Sequence, residues 1–182
     1  MANRSYLYAC HPSDDPAYRD VSEWTGNLPL AHLLLVGVEP TVSASAIWQV
    51  DAKIALQGNA SESRPRFLAF LDWLAPQLLA GFRAAAQEAQ AFLARPDRQG
   101  DSFHLELGEI YELQGLDLIG MERETAANAV RARELVAEVQ RLLAADGATL
   151  DDTDHAQLRQ LQGDWKQRLG LAFSENLYYH LG

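Results

Sequence analysis

The chain has 182 residues, 48% of them hydrophobic and 22% charged, with 25 acidic against 15 basic side chains and a net charge of −10. These are ordinary globular values, with length for one sizeable core, so a single domain over 1–182 is expected and whole-chain disorder is excluded. The negative balance repels phosphate backbones and anionic lipid, which argues against nucleic-acid and membrane partners and favours a basic protein.

Cys10 is the single cysteine, so no intrachain disulfide can form, and a lone thiol suits a reducing, cytoplasmic compartment. The run Leu7-Tyr8-Ala9-Cys10 lacks the preceding apolar region of a lipoprotein signal. The longest apolar stretch, Leu28 to Val38, falls short of a membrane span.

In chain order, Ser5-Tyr6-Leu7-Tyr8-Ala9-Cys10 has the aromatic and apolar composition of a strand, and His11 to Pro16 reads as a loop. Leu33-Leu34-Leu35-Val36 reads as a buried strand closed by Gly37, with a short helix as the alternative. Pro40 opens an expected helix through Val42, Ala46, Ile47 and Val50, and Gly58 to Ser61 punctuates the chain. Phe67, Leu71, Leu74, Leu78 and Phe82 recur at helical spacing, and Pro76 divides them into helices over about 65–75 and 77–94.

From Ser102 two patterns compete. Phe103, Leu107, Ile110 and Tyr111 make one helical face, whereas Phe103, Leu105 and Leu107 alternate as in a strand. A long helix is expected over about 121–145, stopped by Asp146-Gly147. Thr149 and Asp152 then cap a last helix carrying Leu158, Leu161, Trp165 and Leu169. The tail, Leu171 to Tyr179, returns to strand-like composition. The fold class expected is therefore α+β and helix-dominated, several packed helices with a small sheet that includes strands from both chain termini.

Catalytic and cofactor motifs do not emerge. Gly115 and Gly120 have the spacing of a phosphate loop, but Met121 stands where its lysine belongs. No two of the five histidines are spaced as metal ligands, and Asp151, Asp152, Asp154 and His155 sit where acids complement a helix dipole. No cofactor and no metal are expected, and the reading inclines away from an enzyme. Trp24, Trp48, Trp73 and Trp165 read as core anchors.

Charge distribution is what remains. Between Asp101 and Glu124 the acids include Glu106, Glu109, Glu112, Asp117, Glu122 and Glu124, with Arg123 the one base. Gathered on one surface, these six would attract a cationic partner. The leading expectation is a protein-binding, neutralising protein, specifically a bacterial toxin-immunity protein acting through that surface. A small cytosolic enzyme with a motif-less site is the alternative, and a homo-oligomer a third reading.

The opening Asn3-Arg4-Ser5-Tyr6-Leu7-Tyr8 resembles the start of a family of uncharacterised bacterial proteins of similar size, and Asn176-Leu177-Tyr178-Tyr179 is similar to that family's ending. The resemblance implies bacterial origin and a fold in which both ends matter. It carries no activity, cofactor or site residue.

Overall fold

The computed structural model describes residues 3–11, 13, 17–78, 81–145 and 150–181. Its elements run β1 (Arg4–Cys10), β2 (Tyr18–Thr25), α1 (Leu30–Val36), β3 (Thr41–Ser43), β4 (Ala55–Asn59), α2 (Ala60–Leu74), α3 (Phe82–Leu93), β5 (Ser102–Glu106), α4 (Gly108–Leu113), α5 (Leu118–Ala144) and α6 (Asp152–Leu169). The fold is α+β and helix-dominated, with one five-stranded sheet in the order β2-β1-β5-β4-β3, every pairing antiparallel. No helix among the described residues is long and apolar enough to cross a membrane.

Strand alternation sorts the side chains onto two differently built faces. Leu7 and Ala9 of β1, Leu56 of β4 and Phe103 and Leu105 of β5 enter the main core with α1, α2 and α5. Tyr6 and Tyr8 point the other way, into a smaller cluster closed by Leu177, Tyr179 and Leu181 of the C-terminal segment. That segment meets the sheet at one antiparallel bridge, Phe173 with Ser22, and otherwise crosses it as irregular chain. The C-terminal contribution to the sheet is thus a bridge rather than a full strand.

The Leu33–Val36 run lies in a helix, α1, and not in the strand expected of it. Every residue from Ala31 to Val36 is buried, so no polar face remains to reveal helical periodicity. The one polar side chain on α1, His32, is fully buried between two serines, with Nδ1 3.0 Å from Ser5 Oγ and Nε2 2.9 Å from Ser22 Oγ. Ser22 Oγ donates to Ala172 O at 2.5 Å. It must therefore accept from Nε2–H, leaving Nδ1 to accept from Ser5. A bulge between Leu7 and Tyr8 in the β1–β2 register places both Val21 and Ser22 on the helical side, which brings Ser22 within reach.

The helix expected from Pro40 to Val50 is replaced by the short strand β3 and irregular chain. Its neighbour β4 occupies Ala55–Asn59, where Gly58 and Asn59 read as a break. Gly58 is required there because an added Cβ would lie 2.1 Å from the carbonyl oxygen of Val36, inside backbone that cannot yield. Asn59 ends the strand and caps α2 by accepting from Glu62 N, so that helix starts five residues before the expected Pro65. The second helix of that pair, α3, begins at Phe82, later than position 77.

The competition at Ser102 resolves by segment. Ser102–Glu106 forms the central strand β5, and the helical pattern applies only from Gly108 as α4. The long helix α5 and the last helix α6 appear as expected, α6 capped by Asp151 in a capping box with Asp154. The expected Asp146-Gly147 stop, the Thr149 cap and Pro12, Asp14, Asp15 and Pro16 of the first loop lie outside the described residues.

Burial lowers the His32 pKa to about 3 from the usual 6.5. Below pH 6.5 the unfolded chain takes up a proton that the folded chain refuses, so stability is full above that pH and falls as the pH drops toward 3, by about 1.4 kcal/mol per unit from this group. His32→Gln should remove that increment. Chemical denaturation of both proteins between pH 7 and about pH 5 should show the shallower slope in the variant, and parallel slopes would contradict the assignment.

Candidate functional site

The six carboxylates expected on one surface divide into inner and outer sets. Glu106 closes β5 on the face away from the helices and is 1% exposed. Its oxygens accept from Ser45 Oγ at 2.6 Å, Ala46 N at 2.5 Å and His104 Nε2 at 2.8 Å. Ser45 Oγ in turn accepts from Trp48 N at 2.7 Å. Glu106 therefore anchors the loop after β3 and is not available to a partner. The expectation of an outward Glu106 rested on a helix through 102–112, and strand geometry turns it inward instead.

Glu109, half-buried on α4, accepts from Arg4 N at 2.8 Å and Tyr6 OH at 3.1 Å, tying α4 to the start of β1. The other four acids lie at the α4–α5 corner. Glu112 is exposed near the end of α4, and Asp117 is exposed as the cap of α5, accepting from Gly120 N at 2.8 Å. Glu122 is exposed and accepts from Lys53 N at 3.0 Å, while Glu124, two residues on, is half-buried. No ion pair among the described residues joins Arg123 to any of them.

The corner also displays apolar side chains that the charge pattern did not single out. Leu113, Leu118 and Ile119 are 57%, 46% and 69% exposed. The chain turns between α4 and α5 through Gly115 at φ +70°, a conformation that suits glycine. This turn leaves three large apolar groups in water among Glu112, Asp117 and Glu122. The sequence signal was present in Leu113 to Ile119, but whether those residues face inward depends on where the turn directs them.

The polar sheet face holds several buried titratable groups, and they are engaged structurally. His104 is 3% exposed and lies edge-on to Tyr18, ring centroids 5.4 Å apart. Asp20, 2% exposed, accepts from His180 Nδ1 at 2.6 Å and Leu177 N at 3.3 Å, and Tyr8 OH donates to Tyr179 O at 2.7 Å. These bonds hold the C-terminal segment across the face. Burial pushes the Cys10 thiol up to about 11, which keeps it protonated and poorly nucleophilic at neutral pH. Acid–base chemistry by His104 and Glu106 would need substrate to reach a pair that the loop after β3 and Tyr18 enclose.

Asp151 and Asp154, read as dipole-complementing acids, are engaged in capping, and Asp154 also pairs with Arg141. No group of three or more metal-ligating side chains comes together among the described residues.

The architecture is that of an α+β domain whose distinctive exposed feature is a mixed acidic and apolar corner. The chain belongs to the family described as Domain of unknown function (DUF7822), whose model matches residues 10–153. The matched span contains the corner and all five strands except most of β1. Neither the curated proteins nor the solved structures contain a match.

Glu106→Gln keeps the side-chain shape but sets an amide NH₂ against one of three donors. It should destabilise the fold by about 2–3 kcal/mol, whereas Ile119→Ser should stay within about 0.5 kcal/mol of the parent. Urea titration checks both. Equal stability of the Glu106 variant and the parent would remove the carboxylate from its anchoring role.

Proposed function

We propose that this is a binding protein that engages a basic protein partner through the α4–α5 corner, with a cytoplasmic toxin-immunity protein as the specific form. The observation that carries the reading is the exposure of Leu113, Leu118 and Ile119 beside Glu112, Asp117 and Glu122. Large apolar groups clustered in water are the usual mark of an interface, and they supply affinity when covered. Exposed carboxylates around them, none in an ion pair among the described residues, supply encounter rate and discrimination, favouring a cationic surface.

The same charges argue against a second copy of this chain as the partner. A symmetric pairing through the corner would set Glu112, Asp117 and Glu122 against their own kind. The remaining members of the acidic set do not take part: Glu106 and Glu109 serve the fold, and Glu124 is a flanking residue.

Capture of binding proteins from the native host, at low and high salt, tests the reading. The parent chain should retain a basic protein at low salt and release it at high salt. The double variant Glu112→Lys/Glu122→Lys and the single variant Ile119→Asp should each weaken retention at least tenfold. Retention that is indifferent to salt and to both variants would overturn the proposal, as would light scattering that shows a dimer converted to monomer by Ile119→Asp.

A further inference from the structure

Away from the α4–α5 corner, a cavity of about 210 Å³ lies between α1, α2, α5 and α6. Its walls are mainly apolar, with Leu30, Phe70, Trp73, Leu135, Leu158 and Leu161 among them, and the amides Gln157 and Gln160 also line it. Phe70 and Trp73, both lining the space, stand nearly parallel, with ring centroids 6.1 Å apart and planes 15° apart.

Three charged residues line it as well, Glu138, Asp154 and Arg168. The two acids are already engaged. Arg141 donates to both Glu138 oxygens and to both Asp154 oxygens, and Asp154 also accepts from Asp151 N. Arg168 differs: it is exposed in the last turn of α6 and makes no hydrogen bond or ion pair among the described residues. The cavity therefore combines a mainly apolar lining with one guanidinium uncommitted among the described residues, a group shaped to grip a carboxylate through two parallel hydrogen bonds.

We infer that this cavity binds a small amphipathic carboxylate, its apolar end between Trp73 and Leu161 and its carboxylate on Arg168. Size sets the class. An apolar cavity of about 150 Å³ is enough for benzene, so the space here suits a single ring or a chain of roughly eight carbons rather than a long-chain lipid. The inference is independent of the proposed partner surface, which shares no residue with it.

Calorimetry, with tryptophan fluorescence as a second readout of Trp73, tests it using octanoate, octanol and octylammonium. Octanoate should saturate the protein at one site, and octanol and octylammonium should bind at least tenfold more weakly. Arg168→Gln, an exposed change, should bring octanoate and octanol within about threefold of each other, the loss expected for one charge-assisted pair. Leu161→Trp fills the space from a half-buried position and should abolish binding of both. The inference is overturned if octanoate fails to bind at millimolar concentration or if octanol or octylammonium binds as well as octanoate. It is equally overturned if either variant binds octanoate like the parent.

Discussion

The seating of α1 on the sheet is the constraint from which the remaining architecture follows. A seven-residue helix buried from Ala31 to Val36 has no face to give to water, so its one polar side chain must be satisfied inside the protein. His32 is bonded on both ring nitrogens, by Ser5 of β1 and Ser22 of β2, and Ser22 passes the connection on to Ala172. One buried chain of hydrogen bonds thus joins the central helix, the first two strands and the start of the C-terminal segment. The close approach that makes this possible is visible at Gly58, where β4 leaves no room for a side chain beneath Val36.

With the helical layer fixed, the opposite face of the sheet must be covered by something else, and the C-terminal segment covers it. Its attachment is mainly polar: Asp20, Glu23 and Tyr8 take or give hydrogen bonds to the backbone or side chains of Leu177 to His180, and Arg95 and Arg98 pair with Glu175. Tyr6 and Tyr179 add an edge-to-face contact with centroids 5.3 Å apart. Side chains that would suggest chemistry in isolation, a histidine beside a glutamate and several tyrosines, are here the means by which irregular chain is held to a sheet. The exposed acidic and apolar groups lie elsewhere, at the turn where α4 gives way to α5.

That division explains why acidic residues close in sequence have unlike roles. Glu106 and Glu109 are three positions apart, yet one anchors the loop after β3 and the other clamps the start of β1. Beyond Tyr111 the chain emerges from the core, and Glu112, Asp117 and Glu122 are exposed. A partner drawn by the net charge would therefore meet Glu112, Asp117 and Glu122, together with the apolar residues the turn exposes.

Residue types and spacing by themselves determined the α+β class and the N-terminal strand, the latter from its aromatic and apolar composition, and the helices α5 and α6, whose apolar positions repeat with a helical period along many turns. Membership of a family without assigned activity was likewise legible, although the matched span begins at residue 10. Tertiary structure alone decided that Leu33–Val36 is helical, that Ala55–Asn59 is a strand, and that Ser102–Glu106 runs through the middle of the sheet. Each segment is short: the helix run is wholly buried and shows no period, β4 carries a glycine and an asparagine that read as a break, and the alternation in β5 competes with a helical pattern continuing into α4, so neighbours distant in sequence decide the conformation. The same reason governs the candidate site: a string of acids records charge, but only the strand-to-helix change after Glu106 decides which of them face inward and which face water.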